Sequence, residues 1–123
     1  MAEKKVKVIS QLLGYVKGAL AGIIISLKGE EIEVSTRKTI SDPAFVRGEL
    51  AIILKIANSL AEDLKMGPVR ELIISFDAYS IISLMIRDNY ALILFLDDSA
   101  SLGLARKKMG AVIPELEKEL YPE

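Results

Sequence analysis

Apolar residues in this chain recur in two rhythms. Val6, Ile9, Leu13 and Val16 return at helical spacing among Lys4, Lys5, Lys7 and Lys17, which predicts an amphipathic helix over residues 5–17, ended by Gly18. Residues 20–27 (LAGIIISL) are β-branched and apolar, and residues 31–36 (EIEVST) alternate. These read as two strands of a hairpin turning at Lys28-Gly29-Glu30, the second strand half-exposed. A polar loop follows over residues 37–42. Ser41 or Asp42 is then a natural cap and Pro43 suits a first helical position, so a long helix is predicted over residues 43–66. Gly67 stands where a helix end needs a left-handed residue, and Pro68 blocks continuation.

Three apolar runs come next, at residues 69–76, 81–86 and 90–96. The turn-like links between them are short enough only for antiparallel neighbours. The last run, YALILFL, does not alternate, as expected of a strand buried on both faces. It stops at Asp97-Asp98-Ser99, with Ser99 or Ser101 placed to cap a closing helix from about residue 101. Pro114 lacks the N–H that would bond the Gly110 carbonyl, so a kink or break is expected there, with PELEKEL restarting a short helix. The order is α-β-β-α-β-β-β-α. It predicts an α+β sandwich, a five-stranded antiparallel sheet between helical layers, as one domain over residues 1–123.

The second helix carries more apolar surface than a docked helix needs. At about 100° per residue, Val46, Leu50, Ile53, Ala57, Leu60 and Leu64 make one stripe for docking on the sheet. Phe45, Ile52 and Ile56 lie beside it and widen the apolar arc to about 200°, against a little over 100° for an ordinary core-facing helix. A neighbouring segment of the same chain could cover this flank. The reading preferred is a second helix from another copy, since burying three such side chains is worth about 1.5–3 kcal/mol each. The run at residues 69–76 (VRELIISF) points the same way. As an edge strand with no proline or lysine in its body it would be an association liability unless paired. Phe45, Ile52, Ile56, Arg70, Leu72 and Ile74 are therefore the candidate dimer interface.

Composition removes much chemistry. The chain has 51% hydrophobic and 27% charged residues, enough for a real core. Its 16 basic and 17 acidic residues leave a net charge of −1, which makes no electrostatic case for nucleic acid. Histidine and cysteine are both missing. Ser-His-Asp and Cys-His mechanisms are thereby excluded, and little is left for a zinc site. No Gly-x-Gly-x-x-Gly or Walker pattern occurs, so the chain does not read as a nucleotide binder, and no residue set announces a reaction or a cofactor. No signal peptide and no transmembrane run is evident, which points to the cytoplasm. Side-chain amides occur only at Gln11, Asn58 and Asn89, a thermophile-like usage.

Residues that could carry chemistry have plain alternatives. Asp97-Asp98 could hold magnesium, but acids before a helix N-terminus complement its dipole without any metal. Arg106-Lys107-Lys108 reads first as a solvated helix face, with an acidic protein surface or an anionic membrane as functional alternatives. Arg47 and Arg70 lie closest to the expected dimer elements, and arginine is enriched at interfaces.

The element order, with GALAGIIISLKGEEI, the long helix between Asp42 and Gly67, ELIISFDAYSIISLMI and above all LILFLDDSASLGLARKKM, resembles the Roadblock / dynein light chain family. It is nearest to the bacterial MglB-type and archaeal single-domain members. Leu102, Gly103, Leu104 and Arg106 match that family's closing-helix start, and Pro114 departs from its pattern. The resemblance implies strand order 2-1-5-4-3 and dimers in which second helices pack together and third strands join two sheets. It implies binding of a Ras-like small GTPase as activator or scaffold, with no enzyme activity of its own and no arginine finger. Arg47 and Arg106 are the possible GTPase contacts. The other class that this architecture allows is a profilin-, longin- or PAS-like ligand-sensing or adaptor domain. The nearly all-aliphatic core positions argue against the polar pocket such a domain needs.

Overall fold

The computed structural model describes residues 2–37 and 46–122, with side chains from Val8 onward. Three helices and five strands occur among them: α1 (Ala2–Tyr15), β1 (Ala19–Ser26), β2 (Glu31–Thr36), α2 (Arg47–Leu64), β3 (Glu71–Ser75), β4 (Tyr79–Ile86), β5 (Tyr90–Asp97) and α3 (Leu102–Leu120). All strand pairs are antiparallel, and the sheet order is β2-β1-β5-β4-β3. The expected class, element order and strand order hold. β3 is an edge strand, as the apolar run at residues 69–76 led one to ask.

Strand alternation divides the core in two. Ile24, Ile82, Ile86, Leu92, Leu94 and Leu96 face one way and meet Ile9, Leu12 and Leu13 of α1 and Ala105, Met109 and Leu116 of α3. Ala21, Ile23, Ile25, Ala91, Ile93 and Phe95 face the other way and meet Leu50, Ala51 and Leu54 of α2. β1 and β5 are thus buried on both faces, which explains why neither alternates in sequence.

Local details depart from the sequence reading at four places. The first is the docked face of α2. Leu50, Ala51 and Leu54 are buried, whereas Ile53, Leu60 and Leu64, expected in the docking stripe, are exposed. The buried side is set by Leu50, Ala51 and Leu54, with Ala57 and Ala61 half-buried along it, and the larger isoleucines lie off it. The second is the end of α2. Lys65, not Gly67, is the left-handed cap, at φ 56°, and Met66 N donates to Ala61 O at 3.0 Å.

The third is α3, which runs unbroken through Pro114. Gly110 and Pro114 both lie on the solvent side, so water can satisfy the carbonyl that the proline leaves unbonded. The fourth is the Asp97 turn. Asp97 Oδ1 accepts from Ser99 N at 2.9 Å and from Ser99 Oγ at 2.6 Å. Ser101 is the cap, its Oγ accepting from Leu104 N at 3.2 Å. Asp97 shapes the turn, and the helix is capped by Ser101. Gly18, at φ 85°, passes so close that an added Cβ would meet Asp97 Oδ1 at 2.6 Å. The expected cap at Ser41 or Asp42 and the start at Pro43 lie outside the described residues.

The chain's end is fastened. Tyr121 Oη donates to Ile86 O and accepts from Asn89 N, both at 3.2 Å. Its ring meets Tyr90 edge-on at 5.5 Å and lies 4.7 Å from the Arg87 guanidinium carbon. Burial raises its phenol above the ordinary value of 10.0.

Candidate functional site

α2 is amphipathic in an unusual sense: it has two apolar faces. The first docks on the sheet. The second runs Ile52, Ile53, Ile56, Leu60 and Leu64 along the opposite flank, and all five are exposed, Ile56 by 63%. Met66 continues this line past the helix end at 76% exposure. Ile52 and Ile56 stand where the sequence reading put them. Leu60, Leu64 and Met66 were missed as surface residues, although the width of the apolar arc was the signal that could have found them. Phe45 lies outside the described residues.

β3 borders the sheet face on which α2 docks. The alternation that places Leu72 and Ile81 against the α2-side core puts Ile74, Phe76 and Tyr79 on the same side. Leu72 and Ile74 are half-buried. Phe76 and Tyr79, at the β3–β4 turn, are 57% and 56% exposed. Neither aromatic was singled out from the sequence, since each sits in a turn-like stretch that reads as punctuation. Helix flank and sheet margin together leave Ile52, Ile53, Ile56, Leu60, Leu64, Phe76 and Tyr79 exposed.

The candidate arginines divide. Arg70 is exposed beside this surface. Arg47 is half-buried, with its Nε donating to Gly29 O at 3.0 Å, which ties the start of α2 to the β1–β2 turn. Arg106 makes a two-pronged pair with Glu71, Nε to Oε1 at 2.9 Å and Nη2 to Oε2 at 2.7 Å. That pair joins α3 to β3 and engages the Arg106 guanidinium within the chain.

Little here resembles a reaction centre. The buried polar side chains among the described residues are Ser26 and Ser83. Ser26 Oγ accepts from the backbone of Lys28 and Glu30 and so builds the β1–β2 turn. No described acidic cluster could hold a metal ion. An open groove of about 490 Å³ lies between the end of α2 and β4, lined in part by Asn58, Glu62, Val69, Met85 and Arg87. No described helix is long and apolar enough to cross a membrane.

No family model matches the sequence, and no curated protein does. Solved structures do. A Roadblock/LC7 domain from Streptomyces avermitilis, 14% identical, superposes over 94% of this chain and 96% of its own with a TM-score of 0.85. The chain has the Roadblock/LC7 fold. Myxococcus xanthus MglB, 18% identical, matches 97% of this chain and 89% of its own at a TM-score of 0.89. Acanthamoeba castellanii profilin IB, 13% identical, covers 94% and 98% at 0.64. Profilin shares the broad layout, and the higher scores of the Roadblock structures separate the two. On this Roadblock/LC7 scaffold the open α2 flank and the bare β3 edge lie on one side of the sheet and at its margin.

Proposed function

We propose that the chain is a homodimeric Roadblock-type regulator or scaffold that binds a Ras-like small GTPase and acts in the cytoplasm without catalysis of its own. The observation that carries this reading is the double exposure of α2 and β3: an apolar helix flank and an unpaired apolar edge on one molecule. Self-association through both buries them together. Phe45, Ile52, Ile56, Arg70, Leu72 and Ile74 belong to this interface. The likeness to MglB supports the GTPase side of the proposal, with Arg47 and Arg106 as contact candidates. A ligand-sensing role is the weaker reading, because the described interior is aliphatic apart from Ser26 and Ser83.

Light scattering after size exclusion should give twice the chain mass at micromolar concentration. A monomer there would sink the homodimer. A Ras-like GTPase encoded nearby should co-purify with the chain. If it binds and its hydrolysis rate stays the same, the scaffold reading stands and the activator reading falls.

A further inference from the structure

Charge is distributed against the axis of α3. Arg106, Lys107 and Lys108 fall in its first half, and Glu115, Glu117 and Glu119 in its second. No acid stands in its first turn. The partial charges of a helix favour the opposite arrangement, with acids at the start and cations at the end. A cation on a helix is also steadied by an acid three or four residues away. Here residues 102–105 and 109–112 are all uncharged. The stability of α3 therefore does not account for its basic run.

Arg106 is engaged by Glu71 of β3. Lys107 and Lys108 form no ion pair among the described residues. Lys108 Nζ lies 5.7 Å from the centre of the Tyr15 ring, at the end of α1. Lys17, two residues on, is exposed and likewise has no acid partner there. Arg37, just past β2, donates from Nη1 to Leu13 O of α1 at 2.6 Å. Lys17, Arg37, Lys107 and Lys108 thus cross one end of the α1–α3 layer. Tyr15 and Leu104, one turn before Lys108, are 65% and 42% exposed among them. Gly103 and Gly110, on either side of Lys107, have open space where a side chain would stand. The acids of the neighbouring turn are Asp97 and Asp98, and Asp97 Oδ1 is held by Ser99.

We propose that this end of the α1–α3 layer rests on an anionic lipid surface. Three observations choose lipid over an acidic protein. The cations left without a protein partner are lysines, which are depleted from protein interfaces and act as point charges near a charged plane. They spread over separate elements and do not converge on a cavity; the open groove lies elsewhere, by the end of α2. Tyr15 and Leu104 among lysines make the apolar and cationic mixture with which helices lie in a bilayer interface. The whole chain has a net charge of −1, so this local polarity, and not bulk attraction, draws it to such a surface. α2 docks on the other face of the sheet. Lipid contact therefore leaves the α2 flank open, and it stands or falls separately from the self-association proposed above.

Sedimentation of the whole chain with phospholipid vesicles tests the proposal. Vesicles with about one-third phosphatidylserine should carry the chain down at low salt, and pure phosphatidylcholine vesicles should not. Salt at about 0.5 M should release it. Lys107→Gln combined with Lys108→Gln should weaken binding roughly 25-fold, at about fivefold for each charge near the surface. Leu104→Ser should weaken it about threefold. Lys118→Gln, at the acidic end of the same helix, removes a like charge and should change binding by less than about twofold. Melting followed by circular dichroism checks that each variant is folded. Equal binding to both kinds of vesicle overturns the proposal. So does binding to neither, or a loss from Lys118→Gln as large as that from the lysine pair. Capture on immobilised polyglutamate without binding to vesicles also overturns it, and assigns the patch to an acidic protein.

Discussion

The two faces of the sheet are finished to different degrees. On one, α1 and α3 lie side by side and seal the strands, so that Leu92, Leu94 and Leu96 lose all contact with water. On the other, α2 alone covers the ground. It closes over β1 and β5 and leaves Ile74 of β3, Phe76 of the β3–β4 turn and Tyr79 of β4 at the margin. The difference teaches where folding ends and association begins. The sealed face contains the stability that the chain needs by itself. The open face carries apolar area that the lone chain gains little from, and that a partner can bury.

Substitutions can separate these roles. Leu94→Ala on the sealed face should show the largest effect, a loss of about 2–5 kcal/mol in unfolding free energy by urea titration. If it cost less than the same change on the open face, the contrast would fail. Ile52→Glu and Ile74→Lys should behave in the opposite way. Ile52 is already exposed, so Ile52→Glu should move the folding stability of the single chain by about 0.5 kcal/mol at most, and Ile74→Lys, at a half-buried site, by somewhat more. Self-association measured by sedimentation should weaken by roughly 100-fold.

Tyr121→Phe tests the fastening of the sealed face and should cost about 1 kcal/mol. The phenol's pKa is raised in the fold, so the unfolded chain gives up its proton first. The tyrosine's contribution is therefore complete below pH 10 and declines as pH rises above it. A urea series across that range should show the decline in the parent and its reduction in the phenylalanine variant. Lys65→Gly should stabilise the end of α2 by about 0.5 kcal/mol, because glycine takes the left-handed cap without strain. It should raise the melting temperature without changing association.

The sheet was legible from sequence because burial writes itself plainly in strands. An alternating β2 and unalternating β1 and β5 state which surfaces meet water. α2 was legible as a helix with surplus apolar area, but its docked face was not. When apolar residues occupy more than half the circumference, periodicity cannot say which part faces inward. The buried side includes Ala51, which barely registers as hydrophobic in a periodicity. Lys65 was hidden for a similar reason, since a glycine two residues on offered the commoner cap. The candidate surface was legible at Ile52, Ile56, Leu72 and Ile74, which lie on long periodic elements. Phe76 and Tyr79 needed the hairpin's geometry to show which way they face.

The sheet's other margin bears on the size of the assembly. β2 bears Glu31 and Glu33 among half-exposed residues, whereas β3 presents Leu72, Ile73 and Ile74. Glutamates on an edge strand discourage further pairing. A molecule with two sticky edges polymerises, adding copies at either end without limit. This one has a single sticky edge and a charged one. If two copies join through β3, as the proposed self-association would have it, both glutamate-bearing edges turn outward, where they discourage further copies from adding to the sheet.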